Sequence, residues 1–447
     1  MIIKNKDVLS TTKLRKQALA IIESGITRVL PPNIMKYAVR YDAAEKVLTI
    51  NGDTYRLSNG RVFVIGGGKA SGLMAETLEA IINPDNITAG IVNCKNGDYK
   101  TSKIKIILAG HPIPDQRGTG GVKEMLALKQ RYSINENDLV ICLISGGGSA
   151  LMPYPIDEVS LEDKQNITGL LLSSGAEIGE INAVRKHLSK VKGGQLGHVY
   201  SPATIVALIL SDVIGNDLAT IASGPTVPDP TTFSDAYDIL IKYDLLLKAP
   251  KSVTNFLRKG IQGGATETPK TLDNCHNYII GDNRLALEAM LSKAKELGFT
   301  PYTITAEQKG DTSAVARSRA EEILDAKYAG YDAILIGGET TPKLPTSAGR
   351  GGRNQHYATV SMLAMKQYAS EWVVASVGTD GSDFLPDVAG AIVDNNSLDI
   401  VKTKGIDVEP YLERYDSNTL LDKIGNSLII TGNTGTNVGD IIAYLLK

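Results

Sequence analysis

Short apolar runs alternate with glycine-rich turns and amphipathic segments along most of the chain. The part before Arg61 stands apart. There an amphipathic helix is predicted from about Thr12 to Val29, halted by Pro31 and Pro32, and a hairpin follows in which Asn51-Gly52 joins KVLTI to TYRL. From Arg61 the runs VFVIG, GIVNC, IKIILA, DLVICLI and ATIVALIL have strand length, and helices such as Met74 to Ile82 and Gly121 to Arg131 are predicted between them. Continuous apolar strands interleaved with helices imply a mostly parallel sheet covered on both faces.

The stretch GIQGGATETPKTLDN, residues 260–274, is rich in glycine and threonine and poor in apolar side chains, so it is the candidate boundary between domains. Beyond it the alternation resumes: NYIIG, a helix from about Asn283 to Leu297, PYTIT, a helix from about Thr312 to Ala326, then DAILIGG, WVVASVG and SLIITG. The expected architecture is two three-layer α/β/α domains with mostly parallel sheets, residues 1–265 and 266–447. The first is expected to be Rossmann-like, and the active site is expected in the cleft between them.

Composition narrows the function classes. With 447 residues, 43% hydrophobic and 21% charged, and a formal net charge of -2, the chain has a globular profile that excludes disorder, collagen and polybasic nucleic-acid binding. Cys94, Cys142 and Cys275 lie far apart with no CxxC spacing, which argues against both a disulfide framework and a thiolate zinc site. Neither a signal peptide nor an uninterrupted apolar run of membrane-spanning length is legible, so a cytoplasmic protein without membrane or nucleic-acid partners is expected. Oligomeric state is not encoded, and a homodimer stays open.

In open parallel sheets ligands sit beyond the carboxyl ends of the strands, so the turns after each apolar run carry the chemistry. VFVIGGGKASG places three glycines and Lys69 at a strand-to-helix turn, where backbone amides and an ammonium can face an anion. It fits neither a Walker A loop, which would need glycine at Phe63, nor the dinucleotide fingerprint, which meets Ser71 where Gly or Ala is expected. DLVICLISGGGSALM repeats the design with Ser145, Gly146, Gly147, Gly148 and Ser149: either a nest of amides for phosphate or simply a tight turn. A nucleophilic Ser149 lacks the GxSxG elbow.

Three further loops hold polar groups. GHPIPDQRGTGG carries His111, Asp115 and Arg117 between stiffening prolines, and His111 reads either as a base or as a packing residue. INAVRKHLSKVKGGQLG puts Arg185, Lys186, His187, Lys190 and Lys192 on a predicted helix, with 185, 189 and 192 near one face; this is either a solvated basic face or a reach toward an anionic substrate. ATIVALILSDVIGNDLATIASGPT delivers Ser211, Asp212, Asn216 and Asp217 after a buried strand, oxygen ligands suited to Mg²⁺, or a proton acceptor in Asp212. In the second half, Gly338 and Glu339 in ILIGGETT, Arg353 in GRGGRNQ, and the turns VGTDGSDF and TGNTGTNVGD occupy equivalent places. Arg353 would stand at the positive end of a helix beginning near Asn354, a position that calls for an anion.

Taken together, VIGGGKASGLM, GHPIPDQRG, LISGGGSALM, INAVRKHLSKVKGG, LSDVIGNDLATIASGPTVPD, GGETT, GRGGRNQ, GTDGSD and TGNTGTNVGD resemble the glycerate 2-kinase family, whose C-terminal portion is called the MOFRL domain. The likeness runs from about Arg61 to the end, in order. It implies an ATP-dependent, Mg²⁺-requiring kinase that converts D-glycerate to 2-phospho-D-glycerate in sugar-acid metabolism, including non-phosphorylating Entner-Doudoroff routes, with an essential lysine and arginine falling on Lys69 and Arg353. On that basis Lys69, Asp212 and Arg353 are the expected catalytic residues, and Arg185, Asp115 and Ser145 the expected substrate contacts. Gly146, Gly147, Gly148, Ser149, Asn216, Gly338 and Glu339 are expected to hold ATP, with Asp212 and Asp217 as metal ligands. The rival readings are a hydroxypyruvate or tartronate-type reductase and a sugar-acid or nucleotide sensor without turnover.

Overall fold

The structure is a computed structural model that describes residues 1–57 and 60–447. Its opening helix, Lys13–Arg28, is capped by Thr12, whose hydroxyl accepts from the Arg15 amide at 3.1 Å. Pro31 and Pro32 do more than halt it, because they begin a second helix, Pro31–Ala38. The first turn of a helix has no use for the amide hydrogen that proline lacks. Strands β1 (Val39–Asp42), β2 (Val47–Ile50) and β3 (Asp53–Arg56) then form an antiparallel meander, with Asn51-Gly52 at positive φ in the tight β2–β3 turn.

The chain divides into two units, residues 34–280 and residues 1–33 with 281–447. The first holds β4 (Val62–Gly67), β5 (Ile87–Cys94), β6 (Ile104–Leu108), β7 (Leu139–Ser145), β8 (Thr204–Leu210) and β9 (Cys275–Gly281), in the order β6-β5-β4-β7-β8-β9. The pairings from β6 through β8 are all parallel. This is the doubly wound order of dinucleotide-binding folds, and it reverses between β4 and β7. Phe63, Ile65, Val140, Cys142, Ile205 and Ala207 fill one face of the sheet. A separate apolar cluster, including Ile167, Leu171, Val184, Phe233 and Phe256, knits together the helices between 161 and 261.

The second unit holds β10 (Pro301–Gln308), β11 (Ala333–Gly338), β12 (Trp372–Gly378), β13 (Gly390–Asp394), β14 (Leu428–Ile429) and β15 (Asp440–Leu446), in the order β10-β11-β15-β12-β13-β14. Here the mostly parallel expectation holds for one pair only, β10–β11; β15 runs antiparallel between β11 and β12, and β13 and β14 add antiparallel edges. The connections explain it. Parallel neighbours need a crossover, usually a helix, and residues 379–389 between β12 and β13 form none.

The division also departs from the expected boundary at 265/266, and it places the opening helix, whose domain the sequence leaves open. Residues 266–280 are bound into the first unit: Glu267 accepts from the Phe233 amide at 2.8 Å, the Asp229 amide donates to the Pro269 carbonyl at 2.9 Å, and β9 lies beside β8. The glycine-rich stretch is thus an anchored return rather than a linker, and the break falls at 280/281. The opening helix belongs to the second unit. Buried Arg15 pairs with buried Asp394 at 3.2 Å, and Ser24 Oγ donates to the Ala289 carbonyl at 3.3 Å. Among the described residues no helix is long and apolar enough to cross a membrane.

Candidate active site

The turns after β4 and β7 meet where the strand order of the first sheet reverses. The Lys69 amide donates to the Gly146 carbonyl at 2.9 Å, and the Ala70 amide donates to Ser145 Oγ at 2.9 Å. Ser145 is wholly buried and its hydroxyl also lies 3.4 Å from that of Ser71. It therefore ties the two turns together and does not face a substrate, contrary to expectation. Gly147 takes a left-handed φ of 79°, and a Cβ there would lie 3.0 Å from the His111 ring and 3.1 Å from Lys69 Cγ. Lys69, His111 and the glycine turn are thus neighbours, and no side chain fits between them.

Asp115 was expected to touch substrate, but it caps the helix Gln116–Arg131, accepting from the Gly118 amide at 3.0 Å and pairing with Arg117 Nε at 2.7 Å. Burial alone would raise its carboxyl; the amides of Gly118 and Gly110 and the Arg117 charge hold it below the ordinary range.

The basic run from 185 to 192 splits into separate tasks. Its helix is Ile178–His187, so residues 189 and 192 do not continue the face of Arg185. Lys186 pairs with buried Asp229 at 3.3 Å, His187 Nε2 lies 3.0 Å from Glu267, and Lys190 pairs with Asp157. Lys192, 1% exposed, donates to the Ser149 carbonyl at 2.9 Å. Ser149 Oγ lies 2.6 Å from Ser223 Oγ, Ser223 donates to Asn182 Oδ1 at 3.0 Å, and Arg185 Nη1 lies 3.4 Å from the same oxygen. Ala222 and Ser223 both sit at positive φ, 52° and 62°, a backbone cost of roughly 1–3 kcal/mol each that places Ser223 on Ser149.

Sequence reasoning missed Lys164, whose Nζ donates to the Leu188 carbonyl at 3.1 Å and which is buried. Lys164, Arg185 and Lys192 have no carboxylate partner among the described residues, and their proton affinities show it. Burial first and the Arg185 charge second push Lys164 well below the ordinary lysine range; Lys192 is pushed down by burial, Arg185 and Lys164. Burial brings Arg185 itself to about 10.

After β8, Asp212 is half-buried and Asn216 ends a short turn at a φ of 57°. Asp217 is exposed, and its oxygens accept from the Ala219 amide at 3.1 Å and from Thr220 Oγ1 at 2.5 Å. Both Asp217 oxygens thus hold its own turn. No group of three or more His, Cys, Asp or Glu that could hold a metal occurs among the described residues. Mg²⁺ that arrives on nucleotide phosphates needs only one or two protein oxygens, so this donor set fits a metal carried by substrate and not a resident one.

In the second unit, Gly338 has φ 138°, and a Cβ there would lie 2.3 Å from the Gln308 backbone, so this glycine serves the close β10–β11 approach. Arg353 opens the helix Arg353–Ala364. The anion its position requires is supplied by the protein: Nε and Nη2 donate to Asp440 at 2.6 and 3.0 Å, and Nη1 lies 2.7 Å from Glu339 Oε1. The buried Asp383 carboxylate accepts from the Asn354 and Gln355 amides at 2.9 and 2.8 Å, capping the same helix. Burial alone would lower the Arg353 guanidinium; Asp440 and Glu339 outweigh it and raise it well above the ordinary value. Three of its five N–H groups are engaged, leaving two to present elsewhere.

A doubly wound sheet with glycine-rich turns at its reversal point and uncompensated cations beside them defines an α/β protein equipped for anionic ligands. Residues 17–258 match a domain of unknown function, DUF4147, and residues 332–440 match the MOFRL family. A glycerate 2-kinase of Pyrococcus horikoshii is 40% identical, with 97% of each chain covered. A putative hydroxypyruvate reductase of Agrobacterium vitis is 38% identical over 97% of this chain and 99% of its own. The crystal structure of a glycerate kinase from Thermotoga maritima superposes with a TM-score of 0.81 at 36% identity, covering 97% of this chain and 99% of the other. The chain belongs to the glycerate kinase family with a C-terminal MOFRL domain.

Proposed function

We propose that the protein transfers a phosphoryl group from ATP, as its Mg²⁺ complex, to the 2-hydroxyl of D-glycerate, giving 2-phospho-D-glycerate and ADP. The observation that carries this reading is the meeting of the Lys69 turn with the glycine turn 146–148 at the reversal point of the first sheet, in a chain similar over 97% of its length to a glycerate 2-kinase. Phosphoryl transfer asks a protein mainly for alignment and charge, which a movable ammonium and backbone amides provide. Lys69 is assigned to the moving phosphoryl group, and Asp212 to orienting or deprotonating the attacking hydroxyl or to a Mg²⁺ oxygen. Gly146, Gly147, Gly148 and Ser149 are assigned to the nucleotide phosphates, and Asn216 to a further nucleotide contact. Arg353, fixed by Asp440 and Glu339, is assigned to charge stabilisation through its two remaining N–H groups. The product would enter sugar-acid catabolism of the non-phosphorylating Entner-Doudoroff type in the cytoplasm.

The reductase reading draws on the name given to the Agrobacterium vitis relative. Against it, Ser71 stands where a dinucleotide fingerprint beginning at Gly66 needs Gly or Ala. One assay separates the readings: ATP and D-glycerate are supplied and the product is followed by phosphorus NMR, which distinguishes secondary from primary esters. The expected outcome is 2-phosphoglycerate with equimolar ADP, and Lys69→Ala lowering kcat/KM by a hundredfold or more, several kcal/mol of transition-state stabilisation. Hydroxypyruvate-dependent NADH oxidation with no ADP would overturn it.

A further inference from the structure

A cavity of about 1110 Å³ opens in the first unit between the Pro112–Pro114 loop, Ser149-Ala150, and the helices Leu161–Ser173 and Ile178–His187. It slightly exceeds the range for cofactor-sized ligands, roughly 300–1000 Å³, and is far larger than a three-carbon acid. Lys164 and Arg185 line its inner wall, and Lys192 sits one layer behind, on the carbonyl of Ser149. Lys248 adds an exposed cation at the mouth. The one acid on the wall, Asp163, accepts from Ser252 Oγ at 2.6 Å and pairs with none of these cations. At the rim, Ile113, Leu172 and Ile178 are 71%, 62% and 56% exposed, a group of large apolar side chains left in contact with water.

Each feature constrains the occupant. Buried cations without acids are costly unless an anion joins them. The two buried lysines and the partly exposed Arg185 together carry more charge than one carboxylate neutralises, whereas a polyphosphate carries several charges. An apolar rim suits a flat aromatic ring partly withdrawn from water. From this we infer that the cavity is the nucleotide pocket: the triphosphate of ATP lies on Lys164 and Arg185 beside Ser149, Lys192 supports it from behind, and the base rests against Ile113, Leu172 and Ile178. The inference rests on the kinase reading for the identity of the nucleotide, and it moves Arg185 from the substrate carboxylate, where the sequence had it, to the phosphates.

The test is calorimetric binding of the nonhydrolysable analogue AMP-PNP, with Mg²⁺ present, to the full chain, together with KM for ATP and for D-glycerate. Lys164→Met and Lys192→Met are each expected to weaken AMP-PNP binding and raise the ATP KM tenfold or more, with the glycerate KM changed less than twofold. Lys192→Arg is expected to restore most of the loss. Ile178→Glu, at a position exposed enough to spare the fold, places a like charge at the mouth and is expected to raise the ATP KM at least threefold. A raised glycerate KM with unchanged nucleotide binding would assign the cations to the carboxylate and overturn the inference; so would wild-type protein that binds no AMP-PNP. Nucleotide binding that responds to these variants in a protein releasing no ADP with D-glycerate would leave the pocket standing and remove the proposed reaction instead.

Discussion

Two arginines reached from the same kind of sequence argument have opposite surroundings. Arg353 meets Asp440 in a bidentate pair and Glu339 at 2.7 Å, and these acids raise its proton affinity well above the ordinary value. Arg185 meets an amide oxygen and no carboxylate among the described residues, and burial lowers its value to about 10 while two lysines nearby go down with it. The first is fixed by acids of the fold, with two N–H groups left to present. The second belongs to a cluster whose balance must come from outside. A basic residue in a polar loop therefore says little until its acids are counted.

The contrast predicts opposite stability effects, and the largest sits at Arg353. Asp440→Asn removes the charge that Arg353 is built against; because the Arg353 side chain is 31% exposed and keeps Glu339, the expected cost is that of a charged hydrogen bond, about 1.5–3 kcal/mol. Urea unfolding should show that loss. A change below about 1 kcal/mol would mean that Glu339 alone suffices and that Asp440 does not fix Arg353.

At the cluster the sign reverses. Lys192→Met removes a buried cation that has no acid and keeps an unbranched chain of similar length, so stability should rise by ~1 kcal/mol while nucleotide binding falls. The pH dependence follows from the same cause. Lys164 and Lys192 have folded-state values below the ordinary lysine value near 10.4, so between the two the unfolded chain holds more protons than the folded one. Stability then increases with pH across that interval, because the cost of the buried charges is complete below the folded value and relieved above it. Urea midpoints measured upward from pH 7 should climb for the wild type, climb less in Lys192→Met, and climb less when AMP-PNP supplies the missing charge. Parallel slopes in all three would detach the cluster from both effects.

How much of this was legible depends on what local pattern encodes. The first sheet was readable because VFVIG, DLVICLI and ATIVALIL are apolar without interruption, the mark of strands buried on both faces, and the glycine turns followed them. β15 went unread as a strand, and its direction was not legible either, since DIIAYLL buried on both faces looks the same whichever way it runs. The demand for an anion at Arg353 was correctly read from the helix end, but its source was not: Asp383 and Asp440 are distant in sequence and arrive only through the strand order of the second sheet. Lys164, in the polar stretch LEDKQN, looked like any solvated helix face. Its burial follows from the layering of Leu161–Ser173 onto neighbouring helices, which periodicity alone does not reveal.

The smallest effect tests a residue that the structure moved from ligand to scaffold. If Asp115 serves chiefly as the cap of Gln116–Arg131, a serine, which caps about as well, should replace it at a cost of a few tenths of a kcal/mol, whereas alanine should cost ~1 kcal/mol. Losing the Arg117 pair in both variants adds little, because that pair is largely exposed to solvent. Kinetics should then follow the cap and ignore the charge: kcat and both KM values of Asp115→Ser should stay within twofold of the wild type. A tenfold rise in the glycerate KM of Asp115→Ser with an unchanged unfolding midpoint would show the carboxylate contacting substrate after all, and would bring a negative group into a region whose counted charges are otherwise waiting for one.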